Sequence, residues 1–575
     1  MRLSFTCGSV LLCVTVLVFA AAVTHEFVLW DDNANIYENG ALRAPGFAGV
    51  ARFWTRPYKQ LYIPVTYTVW TGLTKLAQGA NGLDPGVFHA ANLLVHLANV
   101  LLVHRIVQLL LRGRTELSRT RCAWAAATGA ALFAWHPLQV EAVAWATGMK
   151  DLLCACFSFS ALLLWLGFAS PTAADRTGAG GRLRHAALAA GATLCFALAL
   201  LAKPVAVVVP ALAWCLVWTG RRRLADGVLL AWLAISLVFV ILTRRVQDVA
   251  SVTFIPPLRM RPFIAGDALA FYLRKLFVPV RLCIDYGRAP RLLQNHRLLY
   301  VTWLAPGAAA ALAALPRARN TGIHLALLLF VIPLVPVLGF VPFLFQEYST
   351  VADRFVYPAM LGPAVLAALL SSRLRSRHAG ALAGFALVTL AALSFRQVRT
   401  WRDDFTLFSH ALEVNPGSFV SQYNLGRARE RRGELGKAAD RYEESIAIRA
   451  DLTPAIIQLG SVKRRLGRQA EARALFSQAV ALEPANARAR NNYGVALASS
   501  GKLTEALVHF SAAHMLRPHD AQTHYNLGMT LEQLGRRPEA LVHYSQALAL
   551  NPADRDTRAA LRRLAHSQAG MTKSE

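Results

Sequence analysis

Residues 491–528 read NNYGVALASSGKLTEALVHFSAAHMLRPHDAQTHYNLG, and Gly494 and Gly528 in this stretch are 34 positions apart. The same spacing recurs upstream and downstream in four sets: Gly426, Gly460, Gly494 and Gly528; Gly433, Gly467, Gly501 and Gly535; Ala438, Ala472, Ala506 and Ala540; Tyr442, Phe476, Phe510 and Tyr544. A fixed period of this length, with small and aromatic residues in register, predicts repeated helix pairs joined by a glycine turn.

The period is that of the tetratricopeptide repeat, in which each helix pair packs on its neighbours to form an α-solenoid. We expect four repeats over residues 419–554, within a domain at 401–575. Phe408, Ala411 and Pro416 match the second helix of a partial leading unit, and residues 555–568 can form a polar cap.

Composition places the rest of the chain in a membrane. Of the 575 residues, 55% are hydrophobic and 16% are charged, whereas soluble chains carry about 25% charged residues. Residues 1–400 hold 37 Lys and Arg against 15 Asp and Glu, although they are the more apolar part. A basic excess between apolar runs is typical of cytoplasmic membrane loops. No basic face interleaved with aromatics appears in a soluble segment, which argues against nucleic-acid binding.

Long apolar runs predict about eleven membrane spans in a domain at 1–400, a polytopic helical bundle in an all-α fold. They lie near residues 6–24, 86–111, 122–138, 151–169, 186–201, 203–219, 226–243, 298–315, 321–343, 354–371 and 379–395. We interpret two more interrupted stretches, 60–80 and 263–280, as interfacial. This assignment places five basic segments on the cytoplasmic side: Arg112–Arg121, Arg182–Arg184, Arg221–Arg223, Arg317–Arg319 and Arg373–Arg377. The N-terminus is then inside and the repeat domain outside.

The predicted outer face gathers residues that carry chemistry. Asp31 and Asp32 directly follow the first span; paired carboxylates there can supply a general base and a positioning group, or share a divalent cation. The turn after the third span contains His136 and Glu141, and Lys150 begins the next span. For each of these residues a solvated or structural role is the alternative.

Two later segments join the same face. Lys203 lies between two apolar runs, where snorkelling to the headgroups is the alternative reading. The segment around Asp353 and Arg354, with Tyr357 close behind, places a guanidinium at the outer end of a span. Arginine is suited to bidentate capture of phosphate, and a surface pair between Asp353 and Arg354 is the alternative.

A family resemblance follows from motifs that keep their order along nearly the whole chain. These are WDDNANIYEN, FHAANLLVHLANVLL, HPLQVEAVAWATGMKDLL, AKPVAVVVPAL, FYLRKLFVPVRLCIDYGR and STVADRFVYP, followed by the repeats. The chain resembles the bacterial relatives of the transmembrane and tetratricopeptide repeat-containing O-mannosyltransferases, which have the glycosyltransferase C fold. Animal members tend to have Ala-Lys-Glu where this chain has Ala202-Lys203-Pro204, so an acidic group is absent at that position.

The resemblance implies a multi-pass enzyme of the bacterial inner membrane that works on the periplasmic side. It would transfer a sugar such as mannose from a polyprenyl phosphate to Ser or Thr of an exported protein, with inversion. The catalytic acidic motif of the family corresponds to Asp31 and Asp32, either of which would be the base. From their predicted position on the outer face, Glu141 would be a second carboxylate that orients the site or the sugar hydroxyls, and Arg354, Lys203 and Lys150 would bind the phosphate. No cofactor is assigned. Whether Asp31 and Asp32 hold a metal stays open, since lipid-phosphate donors in this fold class commonly do without one.

Two other classes of protein remain as alternatives. A lipid-linked oligosaccharide polymerase or ligase also combines many spans with outer repeats, but its site is expected in a large late loop rich in Arg and His. A non-catalytic scaffold anchored in the membrane gives no reason for carboxylates and cations to gather on one face.

Carboxamides recur on the first helix of each repeat, at Asn424, Gln458, Asn492 and Asn526. A carboxamide both donates and accepts hydrogen bonds, so a row of them can hold the backbone of an extended acceptor peptide. The arrangement is similar to the asparagine ladder of the nucleocytoplasmic O-linked N-acetylglucosamine transferase. Asn is also frequent at this position in tetratricopeptide repeats generally, which is the structural alternative.

Overall fold

The computed structural model describes residues 2–43, 46–79, 82–112, 117–169, 179–217, 223–247, 254–295, 298–315 and 322–571. It divides into two compact units, Met1–Pro416 and Gly417–Glu575. Both are helical, which confirms the predicted all-α class. Parts of the predicted cytoplasmic segments, residues 113–116, 221–222 and 317–319, lie outside the described residues.

Helices make up the first unit. Its α-helices are Arg2–Phe19, Gly40–Arg43, Phe47–Thr55, Pro64–Ala77, Pro85–Arg112, Arg119–Trp135, Val140–Ala144, Met149–Ala169, Ala179–Ala202, Val209–Val217, Arg223–Val246, Arg261–Phe277, Pro290–Leu293, Leu299–Thr302, Leu304–Ala314, Ile323–Val331, Leu361–Arg373, Arg377–Val398 and Asp404–Val414. Short 3₁₀ turns connect many of them, at Ala20–Thr24, Pro137–Gln139, Ala146–Gly148, Pro204–Val208, Leu258–Met260, Ile332–Val337, Leu344–Glu347, Asp353–Val356, Pro358–Met360 and Arg399–Trp401. Asn33–Tyr37 forms a π-helical turn, and the strands Gln78–Gly79 and Gly82–Leu83 pair antiparallel.

Six helices among the described residues are long and apolar enough to cross a membrane. They are Cys7–Thr24, Pro85–Arg112, Ala146–Ala169, Gly180–Ala202, Asp226–Val246 and Arg377–Trp401. Shorter apolar helices lie at Pro204–Leu216, Leu299–Ala314 and Ile323–Val337, where the sequence also predicts spans. The predicted count of about eleven spans therefore stays a prediction.

In the first unit, helices pack closely against one another. A Cβ at Gly129 would lie 2.3 Å from the carbonyl oxygen of Ala364, so the helices Arg119–Trp135 and Leu361–Arg373 touch through their backbones. Small residues allow this kind of contact in membrane proteins, where dispersion rather than water exclusion drives helix association. The fully buried Asn92, Asn99 and His96 lie along one side of Pro85–Arg112. A buried polar stripe in an apolar helix requires hydrogen-bond partners, and these partners position the site described below.

The second unit consists of paired helices. They are Phe419–Arg431 and Leu435–Ile448, Thr453–Arg465 and Gln469–Leu482, Ala487–Ala498 and Leu503–Leu516, Ala521–Gln533 and Arg537–Leu550, followed by Arg555–Met571. A Cβ at Gly494 would lie 2.7 Å from the Phe510 ring, and the same relation recurs in each repeat. Gly501 has φ +79°, the left-handed conformation that ends a helix. Glycine is thus required for different reasons in the two series: the series of Gly494 leaves room for an aromatic ring, and the series of Gly501 adopts the left-handed turn conformation.

The boundary between the units differs from the predicted position at residue 400. The helix Asp404–Val414 belongs to the first unit, because its Asp404 carboxylate accepts a hydrogen bond from the Leu29 backbone N–H at 2.5 Å. The Glu26 N–H likewise donates to the Arg402 carbonyl at 2.9 Å. The segment matching a partial leading repeat therefore packs on the segment that follows the first long helix.

Candidate functional site

The two adjacent aspartates occupy opposite environments. Asp31 is exposed and has φ +70°, a left-handed conformation that is uncommon for a residue with a side chain. Asp32 is fully buried. Its Oδ2 accepts a hydrogen bond from the Val28 N–H at 3.0 Å, and its Oδ1 accepts from Thr147, from the backbone N–H at 3.0 Å and from the hydroxyl at 2.6 Å. Asp32 therefore anchors the turn, and Asp31 is presented at its surface.

Burial raises the pKa of Asp32 to about 7, even though the hydrogen bonds from Thr147 and Val28 oppose the shift; the neighbouring charge of Asp31 adds to it. A carboxyl group with a pKa near neutrality has a suitable basicity for a general base. A base must also reach the proton that it removes, and the three donors enclose Asp32. Asp31 is consequently the carboxylate of the pair that an acceptor hydroxyl can approach.

The segment that carries Thr147 is a tight turn between two helices. Val140–Ala144 is followed by the 3₁₀ turn Ala146–Gly148, and a Cβ at Gly148 would lie 2.2 Å from the Ala142 carbonyl oxygen. The Asn92 carboxamide donates to the carbonyls of Val143 at 3.2 Å and Trp145 at 2.6 Å. This buried asparagine on a long helix therefore fixes the position of the turn.

Glu141 and Arg354 form a buried ion pair, although 213 positions separate them. The Arg354 backbone N–H also donates to Glu141 Oε2 at 3.0 Å. The guanidinium lies over the rings of Phe345 at 4.2 Å, Phe355 at 5.0 Å and Trp145 at 5.4 Å. The predicted sugar-orienting carboxylate and the predicted phosphate ligand thus hold each other, and the aromatic rings enclose the arginine.

The two lysines differ in their partners. Lys203 forms an ion pair with Asp151, a partner that its own sequence neighbourhood does not supply. Lys150 Nζ lies over the Trp145 ring at 4.7 Å, and among the described residues no carboxylate comes within salt-bridge distance of it. Its strongest attractive electrostatic interaction is with Asp31, and Lys203 and Arg354 are close enough to repel it. Lys150 is therefore the cation of this group whose charge is least compensated.

Asp31, Lys203 and Arg354 all lie close enough to Lys150 to interact with its charge. We call these four residues the polar cluster. Thr147, which sequence reasoning missed, lies inside the quoted motif but carries no charge to mark it. Its role depends on the fold that places it beside Asp32.

Two other predicted residues are occupied by structural contacts. His136 is fully buried; its Nε2 lies 3.0 Å from the Leu276 carbonyl, and its Nδ1 accepts from the Leu138 N–H at 3.2 Å. The Tyr357 hydroxyl lies 2.7 Å from His96 Nδ1 and accepts from the Asn99 carboxamide at 3.1 Å. Both side chains hold helices together, which is the structural alternative for His136.

Asp353 does not pair with its neighbour Arg354. Its carboxylate accepts a hydrogen bond from the Tyr286 hydroxyl at 2.8 Å, and burial raises the pKa of Asp353 well above its usual range. The nearby charge of Glu141 contributes in the same direction. The alternative of a surface pair between Asp353 and Arg354 is therefore not observed: Asp353 makes a buried contact with a distant segment, and Arg354 pairs with Glu141.

A divalent ion shared by Asp31 and Asp32 does not fit the donor set. Both oxygens of Asp32 already accept N–H or O–H hydrogen bonds. In the described part of the chain, no group of three or more His, Cys, Asp or Glu side chains is arranged to hold a metal.

The carboxamide row of the repeats is uneven. Asn424 and Asn526 are buried, whereas Gln458 and Asn492 are half-buried. Asn526 donates to Asn491 Oδ1 at 2.9 Å and accepts from Gln522 at 3.1 Å. Gln458 accepts a hydrogen bond from Arg488. Asn526 thus has a structural role in the repeat packing, and peptide binding by the other members stays a prediction.

Comparison with known proteins extends these observations. Tetratricopeptide-repeat family models match residues 457–521 and 521–554. Protein O-mannosyl-transferase Tmtc3 of Drosophila melanogaster is 25% identical over 533 residues, covering 78% of this chain and 55% of that protein. Protein O-mannosyl-transferase TMTC4 of Homo sapiens is 31% identical over 166 residues, covering 27% of this chain and 22% of that protein.

A solved structure of a tetratricopeptide-repeat protein matches about a third of the chain. The crystal structure of YrrB, described as a TPR protein with an unusual peptide-binding site, is 24% identical, covers 32% of this chain and 92% of that chain, and has a TM-score of 0.26. The chain spans about half the length of Tmtc3 and less of TMTC4. The resemblance inferred from the motifs is confirmed: this chain is a relative of the proteins named O-mannosyl-transferases Tmtc3 and TMTC4.

Proposed function

We propose that this chain is a membrane glycosyltransferase that moves a sugar, mannose in the first instance, from a polyprenyl phosphate to a Ser or Thr hydroxyl of an exported protein. The observation that carries the proposal is the exposed Asp31, held in a left-handed conformation and close enough to Lys150 to attract its charge. The similarity to proteins named O-mannosyl-transferases supports the reaction class.

The reaction needs a base for the acceptor. A Ser or Thr hydroxyl is a weak nucleophile, so a carboxylate must take its proton as the oxygen attacks the anomeric carbon. Asp31 is accessible for this role, whereas Asp32 holds the turn through Val28 and Thr147. A single displacement forms the new glycosidic bond, breaks the bond from the anomeric carbon to the phosphate oxygen and inverts the anomeric configuration.

The leaving group is a lipid phosphate that gains negative charge as the bond breaks. Cations fixed in a poorly hydrated site stabilise such charge without reorganising. Lys150 is the best candidate, because no described carboxylate lies within salt-bridge distance of it. Lys203 is partly exposed beside Asp151 and can assist. Arg354 contributes positive electrostatic potential, and its ion pair with Glu141 fixes the position of the guanidinium.

In this proposal the protein resides in a bacterial inner membrane, with the polar cluster and the repeats on the periplasmic side. The repeats present the acceptor polypeptide to the site. The lipid-linked polymerase and the inert scaffold receive no support from a specific contact.

Transfer by the purified protein tests the proposal. Detergent-solubilised protein is incubated with a panel of polyprenyl-phosphate sugars and Ser- or Thr-containing peptides, and products are identified by mass. We expect a mass increase of one hexose on the peptide, absent from an Asp31→Asn preparation. Transfer from nucleotide sugars alone, or equal transfer by the Asp31→Asn protein, would contradict it. Reporter fusions after residues 40, 145 and 350 test the proposed outer position of the three site segments.

A further inference from the structure

A basic cavity of about 320 Å³ lies in the repeat unit, outside the polar cluster. Its lining includes Arg427, Glu430, Arg431, Gln458 and Arg465, which belong to the first helices of the first two repeats. Arg488, on the first helix of the third repeat, donates a hydrogen bond to Gln458. The first helices line the concave face of a solenoid, where extended ligands bind.

The charges of this cavity are not balanced. Glu430, its acidic member, accepts hydrogen bonds from Arg465 at 2.9 Å and from the Tyr442 hydroxyl at 2.9 Å. In the described part of the chain, neither Arg427 nor Arg488 has a carboxylate within salt-bridge distance. The Arg427 guanidinium lies over the Tyr423 ring at 5.8 Å, and Arg488 is close enough to interact electrostatically with the same tyrosine. The cavity therefore carries a net positive charge.

We propose that this cavity binds an acidic segment of the acceptor polypeptide, with Arg427 and Arg488 as its principal ligands. An arginine forms two parallel hydrogen bonds to an Asp or Glu carboxylate. The inference rests on the proposed function, in which the repeats present the acceptor. It adds a preference for acidic sequence to the sequence-independent grip expected from the carboxamides.

A polypeptide suits the cavity better than a free phosphate or a lipid headgroup. Gln458 lines the cavity, and Asn492 is at the equivalent position one repeat later. A carboxamide offers a donor and an acceptor, which matches a peptide unit, whereas a phosphate at neutral pH mainly accepts. Carboxamides beside arginines therefore combine recognition of a backbone with recognition of acidic side chains.

Binding to the full-length protein in a nonionic detergent tests the inference. Fluorescence anisotropy compares a labelled Ser-containing peptide rich in Glu and Asp with the same peptide in which Gln and Asn replace them, and with a phosphoserine peptide. We expect the acidic peptide to bind at least about tenfold more tightly than its amide counterpart, with an affinity that falls as salt rises.

Charge-matched variants locate the effect. The double variant Arg427→Gln, Arg488→Gln should bind the acidic peptide at least about tenfold more weakly and bind the amide peptide with unchanged affinity. The control double variant Arg468→Gln, Arg536→Gln removes the same charge from the starts of two second helices, and its affinity for both peptides should be unchanged. Melting temperatures of both double variants verify that the repeats stay folded.

Three results would overturn the inference: equal affinity for the acidic and amide peptides, equal loss in the control variant, or tighter binding of the phosphoserine peptide. Sugar transfer to a short neutral peptide is measured in the same preparations. If the native protein transfers sugar but does not prefer the acidic peptide, only the cavity assignment is overturned. If the native protein binds the acidic peptide preferentially but transfers no sugar, the proposed function is overturned instead.

Discussion

The buried carboxylate of Asp32 accepts two hydrogen bonds from Thr147, one from the backbone N–H at 3.0 Å and one from the hydroxyl at 2.6 Å. Residues 115 positions apart are thereby joined, and the turn after the first long helix is fixed to the turn before Lys150. Asp31 lies between this anchor and the solvent, with φ +70°. The arrangement assigns different tasks to two residues of the same type.

Asn substitutions should separate the two tasks. Asp31→Asn removes the proposed base and should lower transfer by about a hundredfold or more, with little change in melting temperature because Asp31 is exposed. Asp32→Asn should lower both the transfer activity and the melting temperature. Its amide nitrogen would face N–H and O–H donors, which lowers the free energy of unfolding by about 1–3 kcal/mol. Transfer assays and thermal unfolding of the purified variants measure this. Full activity in Asp31→Asn would remove that residue from the reaction.

Thr147 should act as a positioning residue. Thr147→Val keeps the shape of the side chain and the backbone donor but removes the hydroxyl that binds Asp32 Oδ1. We expect kcat to fall more than the donor KM rises, with a loss of unfolding free energy of about 1–3 kcal/mol. Thr147→Ser restores the donor and should recover most of kcat. If Thr147→Ser were as impaired as Thr147→Val, packing of the methyl group rather than the hydrogen bond would explain the effect.

The raised pKa of Asp32 predicts a pH dependence of stability. The pKa is about 7 in the folded protein and about 3.9 in an unfolded chain, so the folded state binds more protons between these values. The stability that Asp32 contributes is fully present below about pH 4 and is lost as the pH rises to about 7. The melting temperature of the native protein minus that of Asp32→Asn should decrease over this range. A difference independent of pH would contradict the raised pKa.

The sequence predicted the repeats well because each glycine and aromatic of the pattern has a local reason, as Gly494 and Phe510 illustrate. Contacts between individual side chains could not be predicted from the sequence: nothing near Arg354 indicates that it pairs with Glu141, 213 positions away. The roles of Asp31 and Asp32 could not be separated either, because burial and backbone conformation distinguish them and residue type does not.

Donor binding should depend on Lys150 more directly than on Arg354. Lys150→Gln removes the least compensated cation of the polar cluster and should raise the donor KM at least about tenfold, with the acceptor KM nearly unchanged. Arg354→Gln leaves Glu141 buried without its partner, which costs about 3–5 kcal/mol and lowers the melting temperature. The double variant Glu141→Gln, Arg354→Gln recovers part of that stability. Kinetics with varied donor at fixed peptide measure this, and an unchanged donor KM in Lys150→Gln would transfer the phosphate role to Lys203 or Arg354.

The carboxamide row is best tested at Asn492, because Asn526 is committed to Asn491 and Gln522. If the half-buried Asn492 holds the backbone of the acceptor, Asn492→Ala should raise the KM for a protein acceptor several-fold, since a lost hydrogen bond is worth about 0.5–1.5 kcal/mol. A short peptide that reaches only Asp31 should be unaffected. Gln478→Ala, on the exposed side of a second helix, is the matched control and should change neither KM. Unchanged modification of the protein acceptor by Asn492→Ala would assign this asparagine to the packing of the repeats, as the contacts of Asn526 already indicate for that residue.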